Sequence, residues 1–235
     1  MVTSFMIPLL YKEGTYRLKD FHEDFGDSID FDYDAQYQIF TYMVPVGEDC
    51  RHRIRLYQIP EETMTETLKA YYDENGQLQK ITAWLYEKES LLYIHYADLE
   101  DARQKIKCFA VSNADAIAEL VCANCTDVVA RLFIEYFWDG EAIDFHALSG
   151  TPEQKEALER EYPEYDDIGD NSGDYFSDRI YGDNHTFGIM LCCAEYEQFD
   201  FFQYAVDIMT ERVREKTVDR LQKTDDFKFI ALQYD

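Results

Sequence analysis

Apolar and polar residues alternate through the first third of the chain in the manner of β-strands. Thr3 to Leu10, Gln36 to Val46 and Arg51 to Ile59 are rich in β-branched and aromatic residues, and Gly47-Glu48-Asp49 separates the last two. After Pro60 the period lengthens. Glu61 to Asp73 carries Met64, Leu68 and Tyr71 or Tyr72 at helical spacing, with Asn75-Gly76 closing a helix or opening a turn. Strand-like runs return at Leu78 to Tyr86, Leu91 to Tyr96 and Lys105 to Val111. Ser112 or Asn113 then caps a helical stretch that runs to about Trp138, with a break near Thr126-Asp127.

Asp139-Gly140 is a turn signal, and Ala142 to Leu148 reads as a short strand. In Thr151-Pro152-Glu153-Gln154 the Thr and Gln can each satisfy the other's backbone N–H, with Pro at the first helical position. A helix is therefore expected to begin there and to stop before Pro163. Glu164 to Asn184 is loop-like, and His185 to Glu195 reads as a buried strand. Phe202, Val206, Met209, Val213 and Leu221 mark one face of a long amphipathic helix near the C-terminus, and Phe227 to Tyr234 a last strand. This order predicts an α+β fold with mostly antiparallel sheets and four or five helices. The whole chain, 1–235, is expected to form a single domain, with a soft division near 112–150.

Charge changes this picture most. The 235 residues include 48 acidic and 22 basic side chains, a formal net charge of −26. Such a field repels nucleic acid and anionic membranes, and it attracts basic proteins and cations. Solubility alone is a weak reason for it, because a net charge of about 2–8 in magnitude serves a small domain. Disorder is not implied: aromatic residues make up 16% of the chain, enough for a large core. Met1 to Tyr11 lacks a basic leader region and is interrupted by Pro8, so neither a signal peptide nor a membrane span is expected. Six scattered cysteines in a core-rich chain suggest reduced thiols and a cytoplasmic location.

Candidate chemistry begins with the acidic segment. From Glu153 to Asp183 the only bases are Lys155, Arg160 and Arg179, while tyrosines lie among the acids. Acid steers a partner and Tyr supplies contact area at low entropic cost. Glu164, Tyr165, Asp166, Asp167, Asp170, Asp174, Tyr175 and Asp178 are accordingly the candidate partner-binding residues. A solvated loop with a few aromatics folded beneath it is the plainer alternative. The run from Asp166 to Asp174 has oxygen ligands but not the order of a calcium-binding EF-hand loop, because Ile168 falls where the first ligand belongs.

Arg51, Arg53 and Arg55 share one side of an extended segment, as do Asp30, Asp32 and Asp34. Neutralisation within one sheet explains both rows. The alternative is an anion site, in which the Arg forks hold a phosphate or carboxylate. Cys122 and Cys125 have zinc-like spacing but no second pair beyond the adjacent Cys192-Cys193, so no metal and no cofactor is expected. No recognised catalytic motif is present, and the five His (His22, His52, His95, His146, His185) stand apart.

Together these features describe an acidic cytoplasmic module that binds a basic protein, most concretely an inhibitor or immunity-type protein. Its target would be a nuclease toxin or a nucleic-acid-binding protein. It would contact neither nucleic acid nor membrane directly. An enzyme using the Arg row for an anionic substrate, and a nucleic-acid mimic, are the rival classes.

Overall fold

The computed structural model describes residues 15–17, 32–34, 39–46, 50–56, 67–75, 78–85, 88–138, 143–161, 179–194 and 199–233. The architecture is α+β, and the chain gathers into two units, one of residues 1–102 and 185–199, the other of 103–184 and 200–235. The segment from Thr3 to Leu10 lies outside the described residues.

Pairing in the first unit is antiparallel. β1 (Thr15–Arg17), β5 (Thr67–Tyr72), β6 (Leu78–Leu85) and β7 (Lys88–Ile94) form one sheet in the order β1-β5-β6-β7. β2 (Asp32–Asp34), β3 (Ile39–Val46) and β4 (Cys50–Leu56) form a second. β5 overturns the helix expected over Glu61 to Asp73. Helical spacing at Met64, Leu68 and Tyr71 is met by chance, and Thr67, Tyr71 and Tyr72 favour a pleated surface. A turn at Asp73 to Asn75, in which Asp73 Oδ1 accepts the Asn75 N–H at 2.9 Å, folds β5 back onto β6. Tyr71 then pairs in register with Lys80, whose ammonium lies 4.3 Å from the ring centroid.

The expected strand from His185 to Glu195 is instead helix α3 (Asn184–Cys192). Phe187, Ile189, Met190, Leu191 and Cys192 are all buried, so the helix is apolar on every side and shows no period. His185 Nε2 lies 3.0 Å from the carbonyl of Leu91 in β7, and the Tyr96 hydroxyl donates to the Met190 carbonyl at 3.0 Å.

α1 (Leu99–Asn124) replaces both the strand expected over Lys105 to Val111 and the cap at Ser112 or Asn113. Asp98 accepts the Asp101 N–H at 2.9 Å while Asp101 accepts the Ala97 N–H at 3.0 Å, a reciprocal cap. Ala102, Ile106, Ala110, Ala114, Ile117, Ala118 and Val121 form the buried stripe. Alanine dominates that stripe, and its small apolar signal hid the true helical period.

In the second unit the sheet runs β10-β9-β8-β11, from β8 (Val129–Trp138), β9 (Ile143–Gly150), β10 (Ile180–Tyr181) and β11 (Lys223–Gln233). β11 lies parallel to β8 and the other pairs are antiparallel. β8 corrects the helix expected to reach Trp138. It is a central strand buried for most of its length, so apolar residues fall on both its faces without alternation, interrupted by Arg131 and Glu135.

α4 (Phe201–Thr217) is capped by Asp200 and presents Phe202, Val206, Met209 and Val213 inward. Phe202 meets Tyr136 of β8 edge-on, with ring centroids 6.0 Å apart. The long C-terminal helix expected to include Leu221 stops at Thr217, whose hydroxyl donates back to the Val213 carbonyl at 2.7 Å. Leu221 is buried beyond the helix end, and β11 follows. Arg212 grips Asp115 with two hydrogen bonds, and Arg220 grips Glu119 likewise, so α4 lies beside α1.

The opposite face of the sheet is covered by α2 (Pro152–Glu161), whose Leu158 packs with Phe133, Leu148, Ile230 and Leu232. α2 begins and ends as expected. The Thr151 N–H donates to Gln154 Oε1 at 2.9 Å, and the Gln154 N–H to Thr151 Oγ1 at 3.3 Å. Thr151→Ala should destabilise the second unit by about 0.5–2 kcal/mol. Urea titration against the wild type measures it, and Thr151→Ser should restore most of the loss.

Candidate functional site

The candidate partner-binding residues Glu164, Tyr165, Asp166, Asp167, Asp170, Asp174, Tyr175 and Asp178 lie outside the described residues, but the segment's two roots do not. At one end α2 is anchored by buried Leu158, and at the other β10 is anchored by buried Ile180. Both roots belong to the second unit, so the acidic segment leaves from one element and returns to another of the same sheet-and-helix assembly.

Several basic side chains of the second unit are engaged by acidic residues of the same unit. Lys155 of α2 bonds Asp226 and lies 3.4 Å from Glu159, and its proximity holds the Asp226 carboxyl down at about 2. Arg131 donates to the Asp226 carbonyl at 2.9 Å. Arg212 and Arg220 hold Asp115 and Glu119 below the usual carboxylate range, and Arg214 bonds Glu211 at 2.7 Å. Arg212 and Arg214 of α4, and Arg220 just beyond it, are therefore paired within the unit.

The rows of opposite charge fall in one sheet but not on adjacent strands. Asp32 of β2 is in register with Thr41 of β3, which is in register with Arg55 of β4. Arg53 pairs with Met43 and Arg51 with Pro45, so β3 separates the Arg row from the acids. Asp30 lies outside the described residues.

Cys122 sits in the last turn of α1 and Cys125 just beyond it. Burial raises both thiols above their ordinary pKa, the opposite of what a nucleophile or zinc ligand requires. Cys192 and Cys193 are buried in the first unit, where loss of solvent pushes Cys193 up to about 12. Among the described residues no group of three or more His, Cys, Asp or Glu is arranged to hold a metal ion. None of the described helices is long and apolar enough to cross a membrane.

One constellation went unforeseen. Glu135, His146 and Tyr181 stand in one row across β8, β9 and β10. His146 has no exposed surface, and its two ring nitrogens lie 3.1 Å from Glu135 Oε2 and 3.0 Å from Asp144 Oδ1. The Tyr181 ring lies against the imidazole with centroids 5.3 Å apart, and Asn184 donates to Asp144 at 3.2 Å. Burial lowers the His146 pKa, but the hydrogen bonds and charges of Asp144 and Glu135 outweigh it, leaving the pKa above its ordinary 6.5. Two flanking carboxylates demand two N–H donors, which only the protonated ring has. With both nitrogens so engaged, His146 has no lone pair to offer a substrate and is not placed as a general base.

The sequence did carry a signal for this cluster. Asp144 and His146 alternate onto one side of a strand, and the Asp139-Gly140 turn predicts a hairpin. Pairing Trp138 with Ile143 across that turn places Glu135 opposite His146. Comparison with protein-family models, with curated proteins and with solved structures finds no match.

Proposed function

We propose that this chain is a binding module for a basic protein, an inhibitor or immunity-type protein acting in the cytoplasm. Its acidic, tyrosine-bearing segment from Glu164 to Asp178 would occlude a nuclease toxin or a nucleic-acid-binding protein. The observation that supports this most is the disposition of charge. Acids outnumber bases by more than two to one, and the second unit's Lys155, Arg131, Arg212, Arg214 and Arg220 are engaged by its own acidic residues or their backbone. The surplus carboxylates thus have no basic patch in those side chains to offset them, and a cationic partner is attracted over a long range. The segment's roots, α2 and β10, give it a fixed base from which tyrosines can make contact at little entropic cost.

Native mass spectrometry of the tagged chain taken from its source cells, at low and at high salt, should show a stoichiometric basic protein that leaves at high salt. Replacing Asp166, Asp167, Asp170 and Asp174 together by Asn should then slow association with that protein by about tenfold or more at low salt. The slope of rate against ionic strength should flatten as well. An unchanged association rate excludes this segment as the docking surface.

A further inference from the structure

We propose that His146 is a pH-operated clasp that fastens β10, the C-terminal root of the acidic segment, to β9 and β8. The inference rests on the cluster's geometry and needs no partner. Each ring nitrogen faces a carboxylate oxygen at hydrogen-bond distance, and the ring is wholly buried. The cation satisfies both oxygens at once, whereas a neutral imidazole carries one N–H and turns a lone pair toward the other oxygen. Glu135 is 5% exposed, so little water can replace the donor it loses there.

Charged and polar groups face the imidazole from each of the three strands. β8 contributes Glu135, β9 contributes Asp144, and β10 contributes Tyr181 with Arg179 immediately before it. Asn184, at the start of α3, reaches the cluster only through Asp144. Arg179 forms a hydrogen bond with Tyr181 and stays charged at every relevant pH. It softens the field of the two carboxylates but does not replace the ring's two N–H donors.

β10 is where the clasp acts. It is a two-residue edge strand, paired only through Ile180 to Ala147 and Tyr181 to His146. Half of its ladder is therefore the His146 pair itself. The sign follows from the upward shift of the imidazole pKa. The stabilisation is complete below the pKa of an unfolded-chain histidine and is lost as pH rises through the folded value. Raising the pH should thus loosen β10, and with it the acidic segment's attachment.

The test uses the full chain with carbon-13-labelled histidine, titrated by NMR from about pH 5 to about pH 9. Hydrogen exchange of the β9 and β10 amides is followed over the same range by mass spectrometry. The His146 resonance should titrate above the other histidines, and exchange in β9 and β10 should accelerate beyond the intrinsic base-catalysed increase at the same midpoint. Glu135→Gln removes one charge and keeps the side chain's shape, so both midpoints should move to lower pH together. Asp144→Asn should do the same and serves if the first variant does not fold. Corrected exchange that is flat across the titration, or an exchange step that stays in place while the imidazole midpoint moves, overturns the clasp.

Discussion

Phe133→Ala should destabilise the second unit by about 3–5 kcal/mol, the range for deleting a buried aromatic side chain. Phe133 is 1% exposed and lies on the central strand of its sheet, in register with Leu148 on one side and Ile230 on the other. Leu158 closes the cluster from α2. Leu148, Ile230 and Leu232 stand on strands whose backbones are held by ladder hydrogen bonds, so they cannot move inward to fill the space. α2 is restrained as well, by the bond from Lys155 to Asp226 and by the reciprocal cap at Thr151. A site that cannot collapse keeps its cavity, which places the cost near the upper end of the range. Leu158→Ala, at the rim of the cluster where the side chain is 7% exposed, should cost less within its range of about 2–5 kcal/mol. Urea unfolding monitored by circular dichroism, with hydrogen exchange of β8 and β11 as the local readout, measures both. A loss for Phe133→Ala below about 1 kcal/mol would mean that α2 settles into the gap and the cluster is not the unit's rigid core.

The sequence was read correctly where a residue's local chemistry decided its conformation. The Thr151 cap, the apolar face from Phe202 to Val213, and the strands expected over Leu78 to Tyr86 and Ala142 to Leu148 and found at Leu78–Leu85 and Ile143–Gly150 are of that kind. It was misread where tertiary burial erased the period. β8 and α3 are both buried along most of their length, and where apolar residues fall on every side no face remains by which strand and helix differ. α1 failed for another reason, since its inward stripe is mostly alanine and its capping residue is Asp98 rather than Ser112 or Asn113.

The candidate sites divide in the same way. Charge alone points to the acidic segment, and of its two roots only α2 is legible locally, because β10 falls in the stretch that reads as loop. The His146 cluster instead needs the pairing of two strands, one of which was taken for helix. Once β8 is recognised, the register of the hairpin brings Glu135 to the imidazole without further information. Asn113 shows the same limit: read as a cap, it is a buried residue in mid-helix that serves a loop about seventy residues away.

Gly182→Ala should be costly for a reason that only this long-range contact reveals. No left-handed backbone is involved; the demand is for space. A Cβ at position 182 would stand 2.5 Å from Asn113 Oδ1, 2.7 Å from Nδ2 and 2.8 Å from the carbon between them. The Asn113 amide is poorly placed to yield. Its Oδ1 accepts the Asp183 N–H at 2.7 Å, its Nδ2 lies 3.5 Å from the Met209 sulfur, and the residue is buried. Overpacking of this sort costs about 1–3 kcal/mol. If the amide turns away, the buried oxygen and the Asp183 N–H part company, for about 1–3 kcal/mol more. Asn113→Ala removes the obstacle along with the hydrogen bond, so the two substitutions should be strongly non-additive. The double variant should unfold at nearly the urea concentration of Asn113→Ala alone, with hydrogen exchange in β10 following the same order. Additive losses would show that the methyl group is accommodated by a shift of the chain at Gly182, and that Asn113 does not dictate the glycine.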